Sequence, residues 1–172
     1  PSLVINLGTC GGFEGKIEKG TIILVNRTVI YDIIEQMGDQ EEDINHYSTD
    51  LDLNWLGDNY PIPVHQTLLV SGDRDLVPEQ IPFLHKKYGA VAGDWESGAI
   101  AWVTSRNNVR CLILRGVSDL VGESGGEAYG NIKLFEENTD GIIKTLLDSL
   151  PAWISRLNLR VNNETATHNH SR

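Results

Sequence analysis

Short apolar runs rich in β-branched residues alternate along this sequence with segments of helical periodicity. The run at residues 110–117, RCLILRGV, is almost continuously apolar, which is typical of a strand buried on both faces. Strands that alternate with helices predict an α/β protein with a mostly parallel mixed sheet flanked by helices. The strands are predicted at residues 2–8, 20–34 (one strand or a hairpin), 66–71 and 110–117, and the helices at 78–88, 96–106 and 138–157.

The length of 172 residues suits a single domain with a sizeable core. We predict that this domain spans residues 1–159 and that the polar residues 160–172 form a disordered tail. No run approaches the ~20 apolar residues of a membrane helix. Two isolated cysteines and a start without a basic n-region predict a cytoplasmic protein with reduced thiols.

The charge is concentrated in one part of the chain. The net charge is −10, and no Lys or Arg lies between Arg27 and Arg74, a stretch that holds ten acidic residues. The acidic balance argues against nucleic-acid binding. Residues 35–63 are predicted to form a long solvated loop. The acids lack the spacing of an EF-hand, so we predict no metal ion, and nothing in the sequence implies an organic cofactor.

Three places where a predicted strand ends are candidates for a binding site, because ligands of parallel sheets collect at the carboxyl ends of strands. They are the glycine cluster at residues 8–12, Ser71 with its following turn, and Ser118 with Asp119. The glycine cluster matches no dinucleotide fingerprint, so it is either a plain tight turn or a loop whose backbone approaches a small ligand.

Two carboxylates have both a structural and a chemical interpretation. Asp119 follows the most buried strand, so it is either a turn cap or a general acid with a raised pKa. Glu96 precedes a predicted helix, so it either caps that helix or accepts hydrogen bonds from two neighbouring sugar hydroxyls. Neither residue decides between these interpretations by itself.

Several segments taken in order resemble one family. Residues 4–12 (VINLGTCGG), 20–23 (GTII), 70–73 (VSGD), 94–101 (DWESGAIA) and 115–119 (RGVSD) are similar to the nucleoside phosphorylase/nucleosidase superfamily. The closest likeness is to 5′-methylthioadenosine/S-adenosylhomocysteine nucleosidases. The resemblance covers most of residues 1–120, and its most specific part is the Glu96 segment together with the strand end at Asp119.

The resemblance implies a role for each matching residue. Asp119 corresponds to the general acid that protonates the leaving purine, and Glu96 to the carboxylate that binds the ribose hydroxyls. The other positions that the resemblance assigns to substrate binding are Thr9, Gly11, Ser71, Leu76, Trp95 and Ser118. The family implies hydrolysis of the N-glycosidic bond of an adenine-type nucleoside, no cofactor, and a homodimer.

Two departures from the family keep alternatives open. Residues 74–76, Arg-Asp-Leu, replace a pattern with a stacking phenylalanine, which leaves the base undecided. Relatives also carry an earlier strand and helix with a water-activating glutamate, for which this N-terminally short chain has no counterpart. A purine nucleoside phosphorylase and a non-catalytic nucleoside-binding relative are therefore the alternatives. Residues 1–15 contain no Lys or Arg for a phosphate, which favours the hydrolase.

Overall fold

The computed structural model describes the backbone of residues 1–168 and the side chains of residues 1–156. Seven strands form one mixed sheet, against which the helices pack. The strands are β1 (Leu3–Phe13), β2 (Ile22–Ile30), β3 (Thr49–Asp50), β4 (His65–Ser71), β5 (Ala92–Asp94), β6 (Arg110–Gly122) and β7 (Gly125–Gly126). The α-helices are α1 (Gln40–Tyr47), α2 (Ile81–Tyr88), α3 (Ser97–Arg106) and α4 (Ile132–His168), and two short 3₁₀ helices span Asn54–Leu56 and Pro78–Gln80.

The sheet closes on itself. Its strand order is β3-β2-β4-β5-β1-β6-β7, and β2 also pairs with β6, so five strands form a ring. The two longest pairings, β1 with β6 and β2 with β4, are parallel, whereas β2 with β6 and β1 with β5 are antiparallel. The predicted α/β class and mixed sheet are confirmed.

The strands β1 and β6 are longer than predicted. Both continue past the glycine cluster and past Asp119, because their backbones stay paired as far as Phe13 with Val121. The glycine cluster is therefore part of a strand, and the prediction of a loop or turn there is wrong. The segment at 20–34 forms the single strand β2, and the predicted helices at 78–88 and 96–106 are confirmed within a few residues.

The acidic segment at residues 35–63 is not a featureless loop. It contains α1, β3 and a 3₁₀ helix. Helix α1 begins at an N-cap, Asp39, whose side chain accepts a hydrogen bond of 2.8 Å from the backbone N–H of Glu41. Acidic residues fill its first turn, where they favour the helix dipole. Four of the acidic residues that predicted a loop thus form the N-cap and first turn of α1.

Helix α3 packs on the sheet mainly through its small residues, although its large apolar residues predict a different contact face. Helical periodicity predicts that Ile100, Trp102 and Val103 face the core. Ile100 does pack against the core, whereas Trp102 is half-buried and Val103 is 52% exposed. The buried face consists of small residues, including Gly98 and Ala101. A Cβ atom on Gly98 would lie 2.6 Å from the Cγ1 atom of Ile30, so this helix packs closer to the sheet than larger residues would permit.

Helix α4 is longer than the predicted 138–157. Pro151 lies inside it without ending it. Its residues Ile142 and Leu146 pack on β6 and β1, and the fully buried Trp153 stacks on Tyr60, with 5.8 Å between ring centroids. The backbone of α4 runs through residues 160–168, part of the segment predicted to be a disordered tail. Residues 169–172 lie outside the described residues, and a domain boundary at residue 159 stays a prediction.

Two glycine substitutions test how α4 packs on the sheet. A Cβ atom on Gly116 of β6 would lie 2.2 Å from the Cγ2 atom of Ile142, so Gly116→Ala should lower the free energy of unfolding by about 1–3 kcal/mol. The matched control is Gly141→Ala in α4, where nothing lies within 4 Å. It should raise stability by up to ~1 kcal/mol, because helix-interior glycine costs backbone entropy. Urea unfolding measures both, and equal effects would contradict this packing.

Candidate functional site

A cavity of about 690 Å³ opens where β1, β5 and β6 approach one another. Seven of the eight predicted site residues line it: Thr9, Gly11, Leu76, Trp95, Glu96, Ser118 and Asp119. These residues come from segments far apart in the chain, so the fold assembles them. Ser71 is not among the lining residues, and its side chain is buried behind the cavity.

An irregularity in strand pairing directs Asp119 into the cavity. The register of β1 with β6 shifts between Cys10 and Gly11, and Ser118 is the extra residue on β6. In a regular strand, consecutive side chains point to opposite faces. The bulge changes this alternation, so that both Ser118 and Asp119 line the cavity.

The surroundings of Asp119 favour the protonated form of its carboxyl group. The residue is only 6% exposed, and burial is the main cause that raises the pKa of its carboxyl. The hydroxyl of Ser118 donates a hydrogen bond of 2.6 Å to Oδ1 of Asp119, and this bond opposes the rise. Asn138 of α4 donates a hydrogen bond of 2.8 Å to the Ser118 carbonyl, which fixes the strand beside the acid.

Glu96 is held by a buried arginine. The Nη2 atom of Arg115 lies 3.1 Å from Oε2 of Glu96, and Nε of Arg115 lies 2.8 Å from Oδ2 of Asp94. The side chains of Arg115 and Asp94 are 5% and 2% exposed, whereas that of Glu96 is 60% exposed. One oxygen of Glu96 is thus bound by the arginine, while its carboxylate still faces the cavity.

Ser71 supports the site without lining it. Its hydroxyl donates a hydrogen bond of 2.5 Å to Oδ1 of Asp94 and accepts one of 2.9 Å from the backbone N–H of Gly98. The hydroxyl thereby ties the end of β4 to the first turn of α3. The resemblance implied substrate binding for Ser71, but the structure places it one layer behind the cavity.

The first glycine of the cluster makes room for the arginine. A Cβ atom on Gly8 would lie 1.9 Å from Nη1 of Arg115. Gly12 has a similar constraint, since a Cβ there would lie 2.7 Å from side-chain atoms of Ile17 and Val117. Because these glycines are sites of close packing between side chains and β1, they do not form a loop around a ligand.

Sequence reasoning missed the outer wall of the cavity. Residues 128–132 and Phe135 form this wall, and none of them was among the predicted site residues. The hydroxyl of Tyr129 donates a hydrogen bond of 2.8 Å to the Leu76 carbonyl across the cavity, and burial raises its pKa to about 12. The sequence does contain one indication of this wall, because Tyr129 is an aromatic residue among small and polar neighbours.

The segment predicted to shape the base pocket does line the cavity. Arg74 and Asp75 are lining residues together with Leu76. The Nη2 atom of Arg74 donates a hydrogen bond of 3.0 Å to Oε1 of Gln80, so its guanidinium is held toward α2. Asp75 lies close enough to Asp119 and Tyr129 for its negative charge to help raise the pKa of both.

Burial makes both cysteines poor candidates for a nucleophile. Cys10 and Cys111 are both free and buried, which confirms the prediction of core thiols. Cys10 also lines the cavity, but burial strongly raises the pKa of its thiol, so the reactive thiolate is absent near neutral pH. Among the described residues, no group of His, Cys, Asp and Glu could hold a metal ion.

A family profile described as the Phosphorylase superfamily matches residues 1–148. The chain belongs to the phosphorylase superfamily. Membership explains why the segments around Gly8, Glu96 and Asp119 occur in this order and meet at one cavity. None of the helices described, which extend to residue 168, is long and apolar enough to cross a membrane.

Individual superfamily members are similar to this chain over most of its length. The 5′-methylthioadenosine/S-adenosylhomocysteine nucleosidase of Buchnera aphidicola is 29% identical over 168 residues, covering 87% of this chain and 70% of the relative. The enzyme of the same name from Maridesulfovibrio salexigens is 31% identical over 141 residues, covering 74% of this chain and 61% of the relative. The apo structure of Arabidopsis thaliana 5′-methylthioadenosine nucleosidase superposes with a TM-score of 0.72 at 24% identity, covering 92% of this chain and 63% of that one. The chain thus spans about two thirds of these proteins, and the structural likeness shows a shared fold.

Because the pKa of Asp119 is raised in the folded protein, ionisation of this carboxyl lowers the free energy of unfolding as the pH rises. A carboxyl whose pKa is higher in the folded state favours folding when protonated, and this contribution is lost as the pH rises through the folded-state pKa. Asp119→Asn removes the titration but keeps an oxygen for the Ser118 hydroxyl. We therefore expect the variant to become more stable relative to wild type as the pH rises from about 4 toward neutrality. Urea unfolding at several pH values measures this, and parallel pH profiles would contradict a raised pKa.

Proposed function

We propose that this protein is a nucleosidase that hydrolyses the N-glycosidic bond of an adenine-type nucleoside. The observation that carries the proposal is one cavity that contains a buried acid, Asp119, and a carboxylate, Glu96, that Arg115 anchors. The names of the relatives support 5′-methylthioadenosine, S-adenosylhomocysteine or a similar nucleoside as the substrate.

The two carboxyl groups suit opposite ends of the reacting bond. As the bond from C1′ to the base nitrogen breaks, positive charge develops on the ribose ring and negative charge on the base. Asp119 donates its proton to the purine ring, which leaves as a neutral base. Glu96 accepts hydrogen bonds from the ribose hydroxyls through its free oxygen. Water adds to C1′ and releases one proton to solvent, and Asp119 takes up a proton again once the base has left.

The charges around the cavity favour water over phosphate as the nucleophile. Among the described lining residues, Arg74 is the one cation, whereas Asp75, Asp94 and Glu96 are acidic; Asp119 adds no charge in the protonated form that acts as the acid. Arg115 is nearby, but Asp94 and Glu96 already neutralise its guanidinium. A phosphate dianion would therefore meet net negative charge, and Arg74, whose Nη2 donates to Gln80, is the single lining arginine that could contact it.

The exposed apolar residues near the acidic segment support a homodimer. Ile34 and Met37 are 78% and 98% exposed, and Val103 of α3 is 52% exposed. The Trp102 and Tyr47 rings pack 5.2 Å apart where α3 meets α1. We infer that this face pairs with a second copy of the chain, with the protein in the cytoplasm, where its free thiols stay reduced.

Removal of the acid tests the assignment of Asp119. Asp119→Asn in the full-length protein should slow the release of adenine from 5′-methylthioadenosine by about 10²–10⁴-fold, because the base would leave unprotonated. Binding of the nucleoside should change little, since the amide keeps nearly the same shape. Chromatography of released adenine and calorimetry of binding give both values. Near-normal release by the variant would refute the role of Asp119, and binding without turnover in the wild type would favour the non-catalytic relative.

The nucleophile is tested by varying phosphate. We expect wild-type base release to be the same in phosphate-free buffer and in added phosphate, with free 5-methylthioribose as the sugar product. The physical reason is the acidic lining of the cavity. The sugar product is identified by mass spectrometry. Turnover that requires phosphate and forms a sugar 1-phosphate would show a phosphorylase instead.

A further inference from the structure

Asp94 is the most heavily bonded carboxylate near the cavity. Its side chain is 2% exposed. It accepts hydrogen bonds from the hydroxyls of Ser71 and Ser97 and from the backbone N–H of Ser97, and it forms the ion pair with Arg115. A buried carboxylate with this many hydrogen-bond and ion-pair partners is held firmly in place.

The bonds of Asp94 fix the backbone that carries Glu96. Asp94 ends β5, and Glu96 is the residue immediately before α3. The Ser97 hydroxyl also accepts hydrogen bonds of 3.1 Å from Nε of Arg115 and 3.3 Å from Nδ2 of Asn6. The first residues of α3 are thereby tied to strands β1, β5 and β6. Glu96 itself has no side-chain capping bond, so its carboxylate is available for another partner.

The arginine connects the two carboxylates. Arg115 directs Nε toward Asp94 and Nη2 toward Glu96. Because Asp94 occupies Nε, Glu96 meets the guanidinium through Oε2, and its Oε1 has no partner among the described residues. A fork that lacked Asp94 would be free to bind both oxygens of Glu96 in the bidentate manner that arginine favours.

From this geometry we propose that Asp94 is a positioning residue that keeps one oxygen of Glu96 free for the ribose hydroxyls. The inference rests on the proposed nucleosidase function. Asp94 does so by occupying Nε of Arg115 and by fixing the start of α3. When Asp94 is replaced by a neutral residue, Glu96 is the single carboxylate partner of the buried guanidinium. The guanidinium then binds both oxygens of Glu96 and draws them away from the sugar.

A comparison of ligands separates positioning from simple structural support. The Asp119→Asn background slows turnover strongly, and calorimetry then measures the affinities for 5′-methylthioadenosine, its 2′,3′-dideoxy counterpart and free adenine. We expect Asp94→Asn to weaken the nucleoside about tenfold or more, since a charge-assisted hydrogen bond to the ribose is lost. The two ligands without ribose hydroxyls should change by less than about twofold.

Glu96→Gln, alone and combined with Asp94→Asn, tests whether the two residues act on the same contacts. Glu96→Gln should give the same ligand pattern, and combining it with Asp94→Asn should add little, because both act on the same hydroxyl contacts. The matched control is Asp58→Asn, an exposed carboxylate whose loss should leave all three affinities unchanged. Should Asp94→Asn fail to fold, Ser97→Ala removes one partner of both Asp94 and Arg115 and should give the same selectivity with a smaller loss.

The outcomes distinguish the inference from the function on which it rests. Selective loss of nucleoside affinity supports positioning by Asp94. Equal weakening of all three ligands, or no weakening, overturns it while the nucleosidase proposal stands. Failure of the Asp119→Asn background to bind any nucleoside overturns both.

Discussion

The buried guanidinium of Arg115 is the interaction on which the site depends. A charge removed from water is costly unless it is paired on every side, and here Asp94 and Glu96 supply the pairing. The pair holds the strand end of β5 and the start of α3 against β6. Because β6 also carries Asp119, the anchored carboxylate and the buried acid are positioned by the same strand.

The surrounding backbone is shaped to admit this arginine. Gly8 on the neighbouring strand leaves the space that Nη1 of Arg115 occupies. Gly98 lets α3 approach the sheet closely enough for its N–H to reach the Ser71 hydroxyl at 2.9 Å. Neither glycine lines the cavity, yet each one limits where Glu96 is placed. No side chain fits at either position, because its Cβ atom would meet Arg115 at Gly8 and Ile30 at Gly98.

The bulge at Ser118 has an equivalent role for the acid. Regular alternation would send Ser118 and Asp119 to opposite faces of β6, and only one of them would line the cavity. With the bulge, the Ser118 hydroxyl bonds the carboxyl that it adjoins in sequence. The same segment leaves Asp119 buried enough to raise its pKa. A local irregularity in pairing therefore directs the Asp119 side chain into the buried position where desolvation raises its pKa.

The sequence by itself determined the α/β class, the approximate places of β4, β6, α2 and α3, and the candidacy of Asp119 and Glu96, because apolar runs and helix signals are local patterns. It did not determine that the glycine cluster is strand, that Val103 is exposed, that Ser71 lies behind the cavity, or that Tyr129 crosses it. Only the tertiary structure decided these points. Each depends on which distant segment lies opposite, as when Arg115 fills the space above Gly8 or Tyr129 reaches the carbonyl of Leu76. Such contacts join residues tens of positions apart, and no local periodicity records them.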